Sequence, residues 1–308
     1  MSRPRTRLLH LSDLHVGSRE EPRFEPSLAR LIERVDPELI VASGDLTHRG
    51  RPEQHDRAAD FLQSLGRPVF AVPGNHDIPY TPIARFTRTY EQFERRWETT
   101  EPTYRSKRLH VVGLNSVRPW LHQSGRIRAA QLRDAARRLA EAAPGALRVV
   151  VLHHHLLGAP WRSRKKPVRD RTGVLAGLVD AGAELILAGH IHQAAVSERH
   201  EFEVVSGAIR GAVVAIAPGL GQPRPKRRGE ARGLLVYESE DDALSAQTYI
   251  WRGDDWGLTA IRRFPRGREP LSAQPVPVPE ELSTPSSDAA ELLGREHQAR
   301  GRTRPRQG

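Results

Sequence analysis

Five short segments carry the side chains that could do chemistry together: Asp13-Leu14-His15, Gly44-Asp45, Gly74-Asn75-His76-Asp77, His153-His154-His155 and Gly189-His190-Ile191-His192. Carboxylate, imidazole and amide oxygen are donors for divalent ions, and no thiolate competes, because the chain has no cysteine. Two such ions about 3.5–4 Å apart need one carboxylate to bridge them and several further oxygen or nitrogen ligands. Asp45 is the obvious bridge. The chemistry this implies is hydrolysis, since paired ions bring the pKa of water towards roughly 7 and neutralise charge growing on a phosphoryl group. Lack of cysteine excludes disulfides, iron–sulfur clusters and a cysteine nucleophile. Taken singly, each segment reads equally well as packing or surface; the five together carry the reading.

Strands must position these residues. The runs Leu8-Leu9-His10-Leu11, Leu39-Ile40-Val41-Ala42, Val69-Phe70-Ala71-Val72, Val149-Val150-Val151-Leu152 and Leu185-Ile186-Leu187-Ala188 read as buried strands. Between them Leu28, Leu31, Ile32 and Val35 recur at helical spacing, as do Ala58, Phe61, Leu62 and Leu65, and again Leu132, Ala135, Ala136 and Leu139. That alternation predicts a layered α/β fold with largely parallel strands. Open sheets of this kind place ligand sites at the carboxyl ends of their strands, where all five segments fall. Residues two apart on an extended segment face one side, so Asp13 with His15, and His190 with His192, are each expected to address one cluster.

After residue 200 the rhythm changes to strands near 202–206, 212–216, 233–238 and 246–251, which predicts a second, more antiparallel sheet interrupted by a solvated loop at 222–229. From about Arg262 the chain is rich in Pro, Arg, Ser and Gln. The expected organisation is therefore a domain over 1–261 and a basic, mostly disordered tail over 262–308.

In this order the five segments resemble the calcineurin-like metallophosphoesterases. Gly44-Asp45-Leu46-Thr47 followed by Pro52-Glu53, and Gly125-Arg126-Ile127 leading into Gln131-Leu132, resemble the bacterial class III cyclic-nucleotide phosphodiesterases within that family. The resemblance covers about residues 7–220. It implies an α/β fold, a four-layer α/β/β/α sandwich, and two divalent metal ions (Mn, Fe or Zn). By it, Asp13, His15, Asp45 and His192 would hold the first ion, and Asp45, Asn75, His154 and His190 the second. Family members commonly carry proline two residues after the ligand in the histidine run; Leu156 holds that place here, which selects His154, with the register open by one residue. His76 would stabilise or protonate the leaving oxygen, and Asp77 would orient His76.

The activity implied is metal-dependent hydrolysis of phosphodiesters or phosphomonoesters by a metal-bridged hydroxide, with a cyclic nucleotide the favoured substrate. An SbcD-like DNA nuclease and a non-catalytic nucleic-acid-binding member of the fold are the alternatives. A net charge of +11 and a pI near 10.8 favour anionic partners, although all but four of the 48 basic residues are arginine, a skew that base composition also produces. Arg162, Arg164, Lys165, Lys166, Arg169 and Arg171, opened by Trp161, read either as a loop drawing in phosphate or a nucleic-acid backbone, or as a solvated loop. The arginines from Arg295 to Arg306 read as a solubilising or loosely anion-binding extension. His48 and His122 lie in loops expected to border the cleft. No apolar stretch reaches the roughly 20 residues of a membrane span, and the expected location is cytoplasmic.

Overall fold

A computed structural model of the chain describes residues 5–18, 25–159, 164–198, 211–221 and 230–266. The chain begins with strand β1 (Thr6–Leu11), helix α1 (Glu25–Val35), β2 (Leu39–Ala42), α2 (Pro52–Ser64) and β3 (Val69–Ala71). It continues through α3 (Pro82–Thr87), α4 (Glu91–Trp97), β4 (Thr103–Arg105), β5 (Leu109–Gly113), α5 (Ala129–Ala140), β6 (Leu147–Val151), α6 (Arg171–Asp180) and β7 (Leu185–Ala188). Strands β8 (Ala195–Glu198), β9 (Val213–Ile216), β10 (Gly233–Ser239), β11 (Ala243–Trp251) and β12 (Trp256–Pro265) follow.

The strands form two six-stranded sheets, ordered β12-β11-β10-β1-β2-β3 and β4-β5-β6-β7-β9-β8. Alternate side chains of each strand face opposite layers. Leu8, Val41, Phe70, Val149, Val151, Leu187 and Ala215 meet in the core between the sheets. Their neighbours Leu9, Leu11, Ile40 and Ala42 turn outward onto Leu28, Leu31 and Leu62 of α1 and α2. Val150, Ile186 and Val214 likewise pack on Leu139, Val174 and Leu178 of α5 and α6. Both faces of the central strands are therefore covered, which is why those runs are continuously apolar, and each fully buried Leu or Val contributes about 1.5–3 kcal/mol. The result is the four-layer α/β/β/α arrangement.

Two expectations need correction. The described strands after residue 200 build no sheet of their own: β9 joins the second sheet parallel to β7, while β10 to β12 extend the first sheet antiparallel from β1. The folded domain also continues past 261. Phe264 of β12 is buried against the inter-sheet core, and Arg266 Nε donates to Glu184 Oε1 at 2.8 Å. Arg262 and Arg263 belong to this edge strand, whose polar face disguised it as tail. The strand expected at 202–206, the loop at 222–229 and the rest of the tail lie outside the described residues. No helix among the described residues is long and apolar enough to cross a membrane.

Candidate metal centre

The turns after β1, β2, β3, β6 and β7 converge at one end of the two sheets and bring the five segments together. Asp13, His15, Asp45, His190 and His192 have φ of 53°, 49°, 52°, 75° and 58°. Left-handed backbone is unfavourable for such residues and persists where surrounding contacts over-determine it, most often at functional sites. Here Asp13 N donates to Gly44 O at 3.0 Å, His15 N to Asp45 O at 2.9 Å and His190 N to Asp13 Oδ2 at 2.9 Å. The spacing argument for Asp13 with His15 thus reached the right pairing through the wrong geometry: left-handed turns, not an extended run, put both on one side. Gly44, at φ 90°, admits no side chain, since a Cβ there would lie 2.7 Å from both Gly74 N and His153 Nδ1.

Three groups of ligand atoms result, each within 4.8 Å: two carry a carboxylate, Asp13–His15–His192 and Asp45–His153–His190, and the third joins His15 to His48 and His76. In the first, His192 Nε2 is 2.9 Å from Asp13 Oδ1, and His15 Nε2 is 3.2 Å from His192 Nε2. In the second, His153 Nε2 is 3.3 Å from Asp45 Oδ1 and 3.2 Å from His190 Nδ1. Asp45 stands between them, because its Oδ2 faces His15 Nε2 at 3.7 Å. Asn75, on the next turn, is buried beside them.

In the histidine run both His153 and His154, the residue that Leu156 selected, stand beside His190, with ring centroids 5.0 and 4.5 Å from it. His153, not His154, joins Asp45 and His190. His154 Nδ1 meets Ser116 Oγ at 2.8 Å, across the turn after β5, and its Nε2 is buried with no partner. His155 is also buried and outside these groups.

The donor set fits metal ions. Within the site, the buried Asp45 Oδ2 and Asn75 Oδ1 accept no hydrogen bond, and Asp13 Oδ1 faces His192 Nε2. Ring tautomers point the same way. His153 Nδ1 contacts Ser43 O at 2.8 Å and His190 Nε2 contacts Gln123 O at 3.0 Å, so each carbonyl takes the ring proton and leaves an inward lone pair. Two lone pairs 3.2 Å apart repel unless a cation, a proton or a metal ion, lies between them. Burial lowers the pKa of His153, but the Asp45 carboxylate outweighs it and raises the value to about 9. Burial also opposes charge on Asp45, yet His153, His76 and His15 hold it well below the usual carboxylate range.

His76 and Asp77 have different duties from each other. The His76 ring lies 4.8 Å, centroid to centroid, from that of His15 and stacks on His48. Its Nδ1 meets His48 O and Tyr80 Oη, both at 2.8 Å. Asp77 does not orient this ring. Its carboxylate accepts from Leu46 N, Thr47 N, Gly74 N and Thr47 Oγ1, and so ties the Asp45 turn to the Asn75–His76 turn. Burial and the Asp45 charge together push the Asp77 pKa up.

The calcineurin-like phosphoesterase family matches residues 6–194. The chain belongs to that family. It is a metal-dependent phosphoric ester hydrolase whose family works through a dinuclear metal centre. A Synechococcus protein named "Probable cyclic nucleotide phosphodiesterase" is 29% identical over 204 residues, 62% of this chain and 75% of that one. The 3',5'-cyclic adenosine monophosphate phosphodiesterase CpdA of Haemophilus influenzae is 25% identical over 224 residues, covering 66% and 76%. Among solved structures, a dimetal phosphatase from Danio rerio superposes with a TM-score of 0.59 at 13% identity, covering 85% of this chain and 99% of that one, which bears on the fold.

Several residues of the site were invisible to motif reading. Ser116 sits past the end of β5, as the other segments sit past their strands, and that placement was its signal. Tyr80, the His48 carbonyl and the Gln123 carbonyl carry no such signal, because they act through contacts that only the folded chain creates. Of the remaining histidines, His10, His55 and His110 are buried and His122 is exposed.

Proposed function

We propose that this hydrolase cleaves a phosphodiester, with a cyclic nucleotide the favoured substrate, at a centre where Asp13, His15, Asp45 and His192 hold one divalent ion and Asp45, Asn75, His153 and His190 hold the other. The observation that carries this reading is the placement of Asp45, whose two carboxylate oxygens face separate histidine groups. Divalent ions bound there supply a water-derived nucleophile at near-neutral pH and neutralise the phosphoryl oxygens.

The chain's own residues do the rest. Carbonyl contacts fix which nitrogen of His153 and of His190 points inward. His76, with Nδ1 taken by His48 O and Tyr80 Oη, has Nε2 left to pass a proton to the leaving oxygen. The cyclic-nucleotide assignment rests on the names of the Synechococcus and Haemophilus relatives together with the motifs around Asp45 and Gly125. Manganese-loaded protein is expected to turn over 3',5'-cyclic AMP and bis(p-nitrophenyl) phosphate. Processive degradation of single- or double-stranded DNA without cyclic-nucleotide turnover would replace this reading by the nuclease one.

A further inference from the structure

The segment that carries Lys165 is pinned across the mouth of the centre. Lys166 N donates to Gln123 O at 3.1 Å, Val168 N to His155 O at 3.1 Å and Arg169 N to Gly125 O at 2.8 Å. These contacts aim one side chain of the basic loop inward. The Lys165 ammonium reaches His192 Nε2 at 2.9 Å and lies 3.9 Å from Asp13 Oδ1, with the side chain 12% exposed. Arg164, Lys166, Arg169 and Arg171, by contrast, are exposed.

We propose that Lys165 is a phosphate-binding residue that biases this site towards dianionic phosphate esters, a claim that rests on the dinuclear phosphoesterase reading above. A lysine is a compact cation on a flexible four-carbon stem, so its ammonium can shift by a few ångströms while its backbone stays pinned. A divalent ion held by Asp13 and His192 would repel the ammonium, and an anionic phosphate bound at the centre would hold it in place. Charge matching gives the preference. Two divalent ions exceed the combined charge of Asp13 and Asp45 by two, and Lys165 raises the excess to three. That excess equals the charge of a phosphomonoester dianion together with a hydroxide nucleophile, whereas a diester with the same nucleophile leaves one positive charge over. The product of diester cleavage is itself such a dianion, so Lys165 also strengthens product retention.

The test compares manganese-loaded wild-type protein with Lys165→Ala and Lys165→Arg. Elemental analysis gives metal content, calorimetry gives inorganic phosphate affinity, and kcat/KM is measured on p-nitrophenyl phosphate and bis(p-nitrophenyl) phosphate. Lys165→Ala is expected to keep two metals and to bind phosphate about ten- to a hundredfold more weakly, the scale of one charge-assisted hydrogen bond. Its kcat/KM should fall by the same factor on the monoester and by about threefold or less on the diester, with Lys165→Arg restoring most of the loss. Unchanged phosphate affinity, equal loss on both esters, or tighter metal binding as the sole effect would overturn the proposal and leave Lys165 as a cation that merely sits where a metal goes. If wild-type protein cleaves neither ester, the phosphoesterase reading fails, and the phosphate titration still decides whether Lys165 binds the anion.

Discussion

His153 presents Nε2 to Asp45 Oδ1 at 3.3 Å, while the ring that follows it, His154, has its Nδ1 on Ser116 Oγ. The two adjacent histidines therefore predict different phenotypes. His153→Ala removes an inward lone pair and should leave the protein with one tightly bound ion per chain by elemental analysis. His154→Gln should keep two ions with affinity lowered by about tenfold, the cost of disturbing a residue that supports the ligands. Loss of an ion from His154→Gln but not from His153→Ala would return the assignment to the register that Leu156 suggested.

Asp45→Ala should abolish activity with any divalent metal, because both groups of ligands meet at this one carboxylate. Metal titration should show both ions weakened together, not one alone. Retention of one ion at wild-type affinity would show that Asp45 does not bridge.

The contrast between these residues explains what could be read from the sequence. The convergence of Asp13, Asp45, His190 and His192 was legible because strand ends in an α/β sheet converge. The choice within His153-His154-His155 was not, since three identical side chains differ only in the contacts that folding gives them, Ser43 O for His153 and Ser116 Oγ for His154. The three amphipathic helices were legible from their periodicity. The partner of the C-terminal strands was not, because β10 to β12 could close a sheet of their own or extend the first, and the pairing with β1 is a long-range event. Asp77 was misread for a related reason: adjacency to His76 suggested a partner, while its carboxylate faces backbone amides of two turns.

Asp77→Ala should consequently damage the fold before the chemistry. It would strip three buried backbone N–H groups of their acceptor, while Thr47 Oγ1 keeps the His76 carbonyl, at a cost of about 3–5 kcal/mol. Denaturant unfolding of the variant should show this loss as a lowered midpoint. Wild-type stability with reduced turnover would instead favour the role of orienting His76.

His76→Ala should leave metal content close to wild type and lower turnover by about 10²–10⁴, the usual scale for a lost acid–base group. Tyr80→Phe should have a smaller effect in the same direction, since His48 O still anchors Nδ1. A His76→Ala protein that loses its metals would make His76 a ligand.

A last prediction concerns pH and stability. His10 is buried in β1, with Nε2 2.8 Å from Ser43 Oγ and Nδ1 3.4 Å from Tyr237 Oη. Burial lowers its pKa from 6.5 to about 3, against a weaker upward pull from Asp13. The folded chain therefore refuses a proton that the unfolded chain accepts between these values. Stability from keeping His10 neutral is fully present above pH 6.5 and is lost as pH falls towards 3, with a slope of about 1.4 kcal/mol per pH unit. His10→Gln should cost stability at pH 8 through poorer packing, yet narrow its deficit as the pH is lowered, because the variant no longer carries that proton penalty. Urea midpoints for both proteins at half-unit steps from pH 8 to pH 4.5 measure this, and parallel curves would show that His10 takes up its proton in the folded state as readily as in the unfolded one.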